Sequence, residues 1–400
     1  MKFADVIAPR DPDTFIDRYV ERQWVVLPGA PLRYESLVPW SQLNAVLNAL
    51  RLPSGSTRLR VVKDGTEIAG DEYLESQSVW GSSIRTGAFE RLLSDGATLV
   101  LNGVHELFEE IRQLTEDMER TLQVGVWANL YAGWRTQRGF DLHWDDHDTF
   151  ILQVHGRKAW KIYSPTCEYP VKAFSGSHTK PTDPPVFDGI LESGSMLYMP
   201  RGWWHVAAPL DEPTLHVTFG LKTLKGADVL GWLTEKLATH QVFRRDAPVR
   251  GSQQHQQSYV SELREAIGSV LSDDCFDDFR RHVEAHTCHS TRIDLPASVV
   301  PHPSIKKDSI LLLAGTRALE THGLPSGGLS VATRFARWTC SPGLKNALSQ
   351  LSGVEGRRVG DVRASVEPML VPEFNCLLTA MSLQGELLIR TPSETGSLGA

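Results

Sequence analysis

The stretch FDLHWDDHDTFILQVHGRKAW, residues 140–160, packs four acids and three histidines against a strand-like apolar run. That run is Phe150, Ile151, Leu152 and Val154, followed by a turn at Gly156-Arg157 and then Lys158. Read as a strand, the segment puts residues i and i+2 on one face, so His143 and Asp145 point together while Trp144 points away. A third ligand is expected from a neighbouring strand. GSMLYMPRGWWHVAAP, residues 194–209, offers His205 at the end of a strand-like run, just after the turn Pro200-Arg201-Gly202. Two imidazoles and one carboxylate on one face leave metal positions open, a set that suits non-haem Fe(II) reacting with oxygen. Asp146, His147 and Asp148 are expected at the rim or behind the ligands, and His155 and His216 as satisfied strand histidines. Trp134, Trp144, Trp203 and Trp204 are candidate walls of the site.

Outward from this segment, VWANLYAGW, KAWKIYSP, SGSMLYMP and TLHVTFGLK continue as short β-rich runs separated by turn residues, the pattern of a sandwich or barrel over about 125–222. Before it, PDTFIDRYVERQWVVLPG predicts a helix leading into a strand at Val25–Leu27, and residues 30–125 mix helices with strands. After residue 226, ADVLGWLTEKLATHQVF, SYVSELREAIGSVL and CFDDFRRHVEAH read as helices, with RGSQQHQQ as a polar joiner. The last hundred residues hold SPGLKNALSQL and VPEFNCLLTAMSL as helices and ELLIR as a strand, which suits a small winged-helix-like domain.

Four hundred residues suggest two or three domains. The formal charge of −7 without blocks of one sign argues against a general nucleic-acid or membrane affinity. No apolar run approaches a bilayer span and MKFADVIAPRDPDTF lacks a leader pattern, so a soluble, cytoplasmic protein is expected. Cys167, Cys275, Cys288, Cys340 and Cys376 are odd in number and lack CxxC spacing, as for reduced thiols. A competing cluster, His282, His286, Cys288 and His289, has no second half to complete a zinc site.

HWDDHDTFILQVHGRKAWKIYSP together with GSMLYMPRGWWHVAAPLDEPTLHVTFG resembles the JmjC-type ribosomal oxygenases, a branch of the 2-oxoglutarate-dependent oxygenases. The pattern HxDxxxxFxxQxxGxKxW is met at His143, Asp145, Phe150, Gln153, Gly156, Lys158 and Trp160. The resemblance implies an α+β chain whose core is a double-stranded β-helix of the jelly-roll or cupin type. It implies a catalytic domain with an α/β lead-in over 1–225, a helical dimerisation region over 226–298 and a winged-helix-like domain over 299–400. It further implies Fe(II) on His143, Asp145 and His205, with O2 as co-substrate. Lys158 would pair with the distal carboxylate of 2-oxoglutarate, helped by the hydroxyls of Tyr131 and Thr218, with Asn129 in the pocket near the substrate.

One position departs from the pattern. Where the relatives present a small hydroxyl or amide residue two places after the threonine of HVT, this chain has Gly220. The expected activity is hydroxylation of a histidine, otherwise an arginine, in a ribosomal protein or peptide, with a homodimer implied. Three alternatives stay open. A tailoring hydroxylase would act on a ribosomally made precursor peptide. A catalytically silent cupin would bind without turning over 2-oxoglutarate. A transcription regulator would bind duplex DNA through the C-terminal domain with strong salt sensitivity, against which the acidic balance speaks.

Overall fold

The computed structural model describes residues 1–171, 179–272, 275–286, 305–313, 319–333, 336–351 and 356–390, the side chains at 76–78 and 284–286 excepted. The chain divides into two compact units, Met1–Thr223 and Leu224–Ala400.

Among its described residues the first unit holds thirteen strands. In chain order they are β1 Val25–Leu27, β2 Leu59–Lys63, β3 Thr66–Glu67, β4 Leu74–Ser78, β5 Gly81–Ile84, β6 Thr98–Leu101, β7 Gly125–Gly133, β8 Asp148–His155, β9 Lys158–Tyr163, β10 Phe187–Leu191, β11 Met196–Met199, β12 Trp204–Pro209 and β13 Thr214–Lys222. Its helices are α1 Phe3–Ile7, α2 Pro12–Tyr19, α3 Trp40–Ala49, α4 Gly70–Tyr73, α5 Thr86–Ser94 and α6 Glu109–Leu122. Asp11 starts α2, accepting a hydrogen bond from the Thr14 amide at 2.9 Å.

An eight-stranded sheet runs β1-β11-β8-β13-β7-β6-β2-β3 and faces a three-stranded sheet, β10-β9-β12. All their pairings are antiparallel, as the jelly-roll expectation requires. Strand β8 is buried along its whole length, which is why it reads as an unbroken apolar run instead of alternating. Phe150, Leu152 and Val154 enter the large core that Phe3, Phe15, Leu43, Leu114 and other helical side chains share. Ile151 enters the smaller core between the sheets, with Trp160, Ile162, Leu191, Leu197 and Met199.

The β8–β9 turn carries the chain from the large sheet to the small one. Gly156 has φ +61°, and a Cβ there would lie 2.1 Å from the Pro213 carbonyl oxygen, so the turn needs glycine twice over. Gln153 clamps the same corner: its Nε2 donates to the His155 carbonyl at 2.8 Å and to Thr214 Oγ1 at 2.7 Å.

In the second unit, α7 Gly226–Leu237, α8 Gln241–Arg244, α9 Gln253–Val270 and α10 Cys275–His286 share one apolar cluster around Trp232, Leu233, Ala266 and Phe279. RGSQQHQQ is only partly a joiner. Ser252 caps α9 by accepting from the His255 amide at 3.3 Å, and the glutamines, adequate helix formers, continue as its first turn.

The rest of the unit comprises β14 Ile310–Leu313, β15 Glu320–Gly323, β16 Leu329–Ala332, β17 Arg337–Cys340, α11 Lys345–Leu351, β18 Arg357–Arg358, α12 Val359–Ala364, α13 Val371–Leu383 and β19 Leu387–Arg390, all but β15 and β18 contributing to a second apolar cluster. Helix, strand, helix, helix and strand follow one another from α11 to β19, and β18-β14-β19 form a three-stranded sheet. The expected boundary at 298/299 lies outside the described residues. Among the described residues no helix is long and apolar enough to cross a membrane. Cys167, Cys275, Cys340 and Cys376 are free thiols, and Cys288 lies outside the described residues.

Candidate metal centre

His143 and Asp145 do not lie in a strand, contrary to the i, i+2 argument. Only His143 pairs, in an isolated bridge with His205, and residues 144–147 are irregular until β8 starts at Asp148. The two segments are nevertheless stitched together by backbone. The His143 amide donates to the His205 carbonyl at 3.1 Å, the His205 amide returns to the His143 carbonyl at 2.7 Å, and the Gly202 amide donates to the Asp145 carbonyl at 2.8 Å. His205 stands near the start of β12 rather than the end of a run.

Ligand atoms of His143, Asp145 and His205 all lie within 4.8 Å of one another. The two imidazole centroids are 4.3 Å apart, and His205 Nε2 is 3.7 Å from Asp145 Oδ2. Each imidazole is oriented by a carbonyl, which can only accept: His143 Nδ1 donates to the Asp141 carbonyl at 2.7 Å, and His205 Nδ1 to the Trp203 carbonyl at 3.1 Å. Both rings therefore carry the proton on Nδ1 and offer the Nε2 lone pair. Burial, with His143 alongside, pulls the His205 pKa well below the usual imidazole range and keeps that lone pair free.

The acids that follow divide differently. Asp148 is fully buried and accepts from the Tyr198 hydroxyl, from the Arg201 amide at 3.0 Å and from the Glu21 amide at 3.3 Å. It anchors the turn that carries His205 and so stands behind the ligands, one of the two places expected for it. His147 Nδ1 is 3.4 Å from Asp146 Oδ1, and its ring leans on Trp127 at 4.7 Å.

Ligands and expected cofactor residues line one cavity of about 650 Å³: Lys158, Tyr131, Thr218 and Asn129 all face it. Lys158 is only 5% exposed, and no acid lies within ion-pair distance among the described residues. Burial pulls its ammonium down to about 7. Tyr131 is driven the other way, to about 12, first by burial and then by the Asp145 charge, so its phenol stays protonated. Asn129 hydrogen-bonds Tyr131, and its Oδ1 accepts from the Gly103 amide at 3.0 Å.

None of the four candidate wall tryptophans lines this cavity; Trp127 and Trp160 do. Trp204 alternates with His205 along β12 and is buried, its Nε1 donating to Thr166 at 3.0 Å; Trp203 packs into the core between the sheets; Trp134 lies against Trp40 at 6.0 Å. Strand phase could have found the true walls, because Trp127 is in register with Asn129 and Tyr131, and Trp160 with Lys158. His216, expected as a satisfied strand histidine, instead lines the cavity. Its imidazole stacks on Tyr131 at 4.9 Å and 8°, and burial beside Lys158 holds it neutral. His155 matches expectation, with Nε2 donating to the Val38 carbonyl at 3.0 Å. His282 lies 3.6 Å from Glu235, while His286, Cys288 and His289 fall outside the described side chains.

The donor set fits a divalent metal of the non-haem iron kind, and a buried ammonium without a counter-ion fits the far carboxylate of a dicarboxylate. Fold and donor set together define a JmjC-type cupin. Residues 104–229 match the JmjC domain. Beyond that domain, the chain is similar to proteins of the JmjC-type ribosomal oxygenase kind. It is 35% identical over 221 residues to the Drosophila persimilis "bifunctional lysine-specific demethylase and histidyl-hydroxylase NO66", covering 54% of this chain and 31% of that one. The Aedes aegypti protein of the same name is 27% identical over 301 residues, covering 69% and 46%. The chain thus spans less than half the length of these curated relatives. In fold it is similar to the Escherichia coli ribosomal oxygenase YcfD, with a TM-score of 0.59 at 16% identity over 95% of this chain and 98% of the other. The YcfD structure in complex with cobalt and 2-oxoglutarate gives 0.60 at 15% identity, over 96% and 99%.

Proposed function

We propose that the protein is an Fe(II)- and 2-oxoglutarate-dependent oxygenase that hydroxylates a side chain, histidine first and arginine otherwise, in a ribosomal protein or another peptide. One observation carries the reading: a single cavity holds three metal-competent ligand atoms within 4.8 Å and a buried ammonium without a protein counter-ion. The relatives named histidyl-hydroxylase support the preferred target, and the fold neighbour titled ribosomal oxygenase supports the substrate class.

In this reading His143, Asp145 and His205 hold iron. Lys158 binds the distal carboxylate of 2-oxoglutarate, with Tyr131 and Thr218 as hydroxyl donors and Asn129 bracing Tyr131. Iron with 2-oxoglutarate and O2 supplies oxidation of an unactivated C–H bond, with release of succinate and carbon dioxide. The chain's own part is placement. Two carbonyls fix which nitrogen each histidine presents, the Tyr131 phenol stays a donor at neutral pH, and Trp127 and Trp160 limit water around the reacting atoms. The reading extends to domain limits at 225/226 and 298/299 and to a cytoplasmic location. It also includes a homodimer through the helical region, where Leu230, Val260 and Phe276 are exposed.

The test is iron-dependent conversion of 2-oxoglutarate to succinate by the purified protein, together with mass spectrometry of ribosomal proteins from cells with and without the gene. A one-oxygen loss in the gene-less cells, and silence of a His143→Ala variant, are expected. Absence of iron-dependent succinate overturns the reading.

A further inference from the structure

The cavity face of the large sheet is a ladder of three strands. Tyr131, Asn129 and Trp127 of β7 stand opposite His216, Thr218 and Gly220 of β13, and Thr218 and Gly220 in turn stand opposite Ile151 and Thr149 of β8. Successive rungs are roughly 7 Å apart along the strand. At the inner rung Tyr131 stacks on His216, which feels the Lys158 charge, and this is the cofactor end. The outer rung, Trp127 with Gly220, meets His147, two residues beyond the ligand Asp145.

Gly220 is explained by space. A Cβ built there would lie 2.4 Å from Trp127 Cζ2 and 2.5 Å from Cε2, so the indole already fills the volume a side chain at 220 would use. Any residue larger than glycine pushes Trp127 off its seat. The His147 ring lies 4.7 Å from the indole, tilted by 57°, and helps to hold it in place. At this rung the chain offers an aromatic face in the same cavity as the Asp145 carboxylate. An indole face favours flat and cationic groups, and a neighbouring carboxylate adds to the preference for nitrogen-bearing ones.

We propose that Trp127, seated over Gly220 and braced by His147, is the specificity-determining platform of the site. The target side chain is read by stacking a planar, nitrogen-bearing group, imidazole or guanidinium, on the indole instead of by a hydrogen bond from position 220. The proposal rests on the oxygenase reading above.

The experiment uses the full-length iron-loaded protein with 2-oxoglutarate and two synthetic nonapeptide libraries, one with central histidine and one with central arginine, in randomised flanks. Succinate and a one-oxygen mass gain are both recorded, and KM and kcat are measured on the best peptide. Trp127→Leu, which keeps bulk but not the π-face, and Gly220→Ser should each raise KM by about tenfold while kcat falls less, and Trp127→Phe should recover most of the loss. An unchanged KM in Trp127→Leu overturns the platform, and an unchanged KM in Gly220→Ser overturns the role of the glycine. Succinate formation with neither library oxidised overturns the planar target. Absence of succinate in the unmodified protein overturns the oxygenase reading itself.

Discussion

Replacing Lys158 by methionine should make the cofactor-free protein more stable and, at the same time, unable to bind its dicarboxylate. The ammonium is buried without a counter-ion, and its pKa falls from the model-peptide value of 10.5 to about 7. At about 1.36 kcal/mol per unit, holding the charge below pH 7 costs the fold at most about 5 kcal/mol. The sign follows from proton counts. Between about pH 7 and 10.5 the unfolded chain binds more protons at this residue than the folded one, so stability rises with pH across that window and is lowest below it. Methionine removes the whole contribution. The variant should therefore gain up to about 5 kcal/mol over the parent at pH 6, about 3 at pH 8 and about 1 at pH 9.5.

Urea unfolding of metal- and 2-oxoglutarate-free protein, followed by tryptophan fluorescence, reads this directly. Nine of the eleven tryptophans lie before residue 224, so the signal reports mainly the unit that holds the site. In the second arm, 2-oxoglutarate with a redox-inert divalent metal should raise the melting temperature of the parent by mass action and leave the variant nearly unmoved, because losing the ion pair costs at least about a hundredfold in affinity. A variant no more stable at pH 6 than at pH 9.5, relative to the parent, refutes the buried-charge argument. A variant that binds 2-oxoglutarate as the parent does refutes the assignment of Lys158.

Chelation, or His143→Ala, should lower iron-dependent succinate formation by about a thousandfold or more with the far-ultraviolet circular dichroism unchanged, since the backbone hydrogen bonds that join residue 143 to 205 do not need the imidazole. Asp148→Asn keeps one acceptor oxygen but loses the charge that three donors share, and should cost about 3 kcal/mol in urea unfolding while also weakening metal binding through the Arg201–His205 turn. Gly156→Ala meets both a left-handed backbone and the Pro213 carbonyl, so a loss of about 3 kcal/mol, or failure to accumulate as folded protein, is the expected outcome in the same assay.

The parts of the site legible from sequence are those whose chemistry and backbone role coincide. Lys158 and Trp160 follow a glycine turn into a strand, and period two then places them on one face. The His143/Asp145 pair was identified by an argument that assumed a strand where there is none. It survives because the irregular segment is pinned to residues 202–205, a long-range contact no local pattern encodes. The misplaced tryptophans come from taking nearness in sequence for nearness in space: Trp204 adjoins a ligand and for that very reason points to the other face of β12. The meander of β15, β16 and β17 escaped notice because four-residue strands rich in Thr, Ser and Arg carry little hydrophobic periodicity.

The dense run of acids and histidines at 143–148 follows from how the protein solves a geometric problem. A metal claw on irregular chain has no ladder to hold it, so the segment must be fixed from both ends and from behind. At its start, the bridge to His205 fixes position while carbonyls fix the imidazole protons. At its end, Asp148 reaches away from the metal to gather Tyr198, Arg201 and Glu21, tying the strand start to the turn that delivers the third ligand. Between them Asp145 offers a ligand atom, and Asp146 steadies the His147 ring that supports Trp127. Adjacent residues thus face metal, core and substrate wall in turn, which only an irregular segment permits. A regular strand would have offered two faces, one too few for metal, core and wall together.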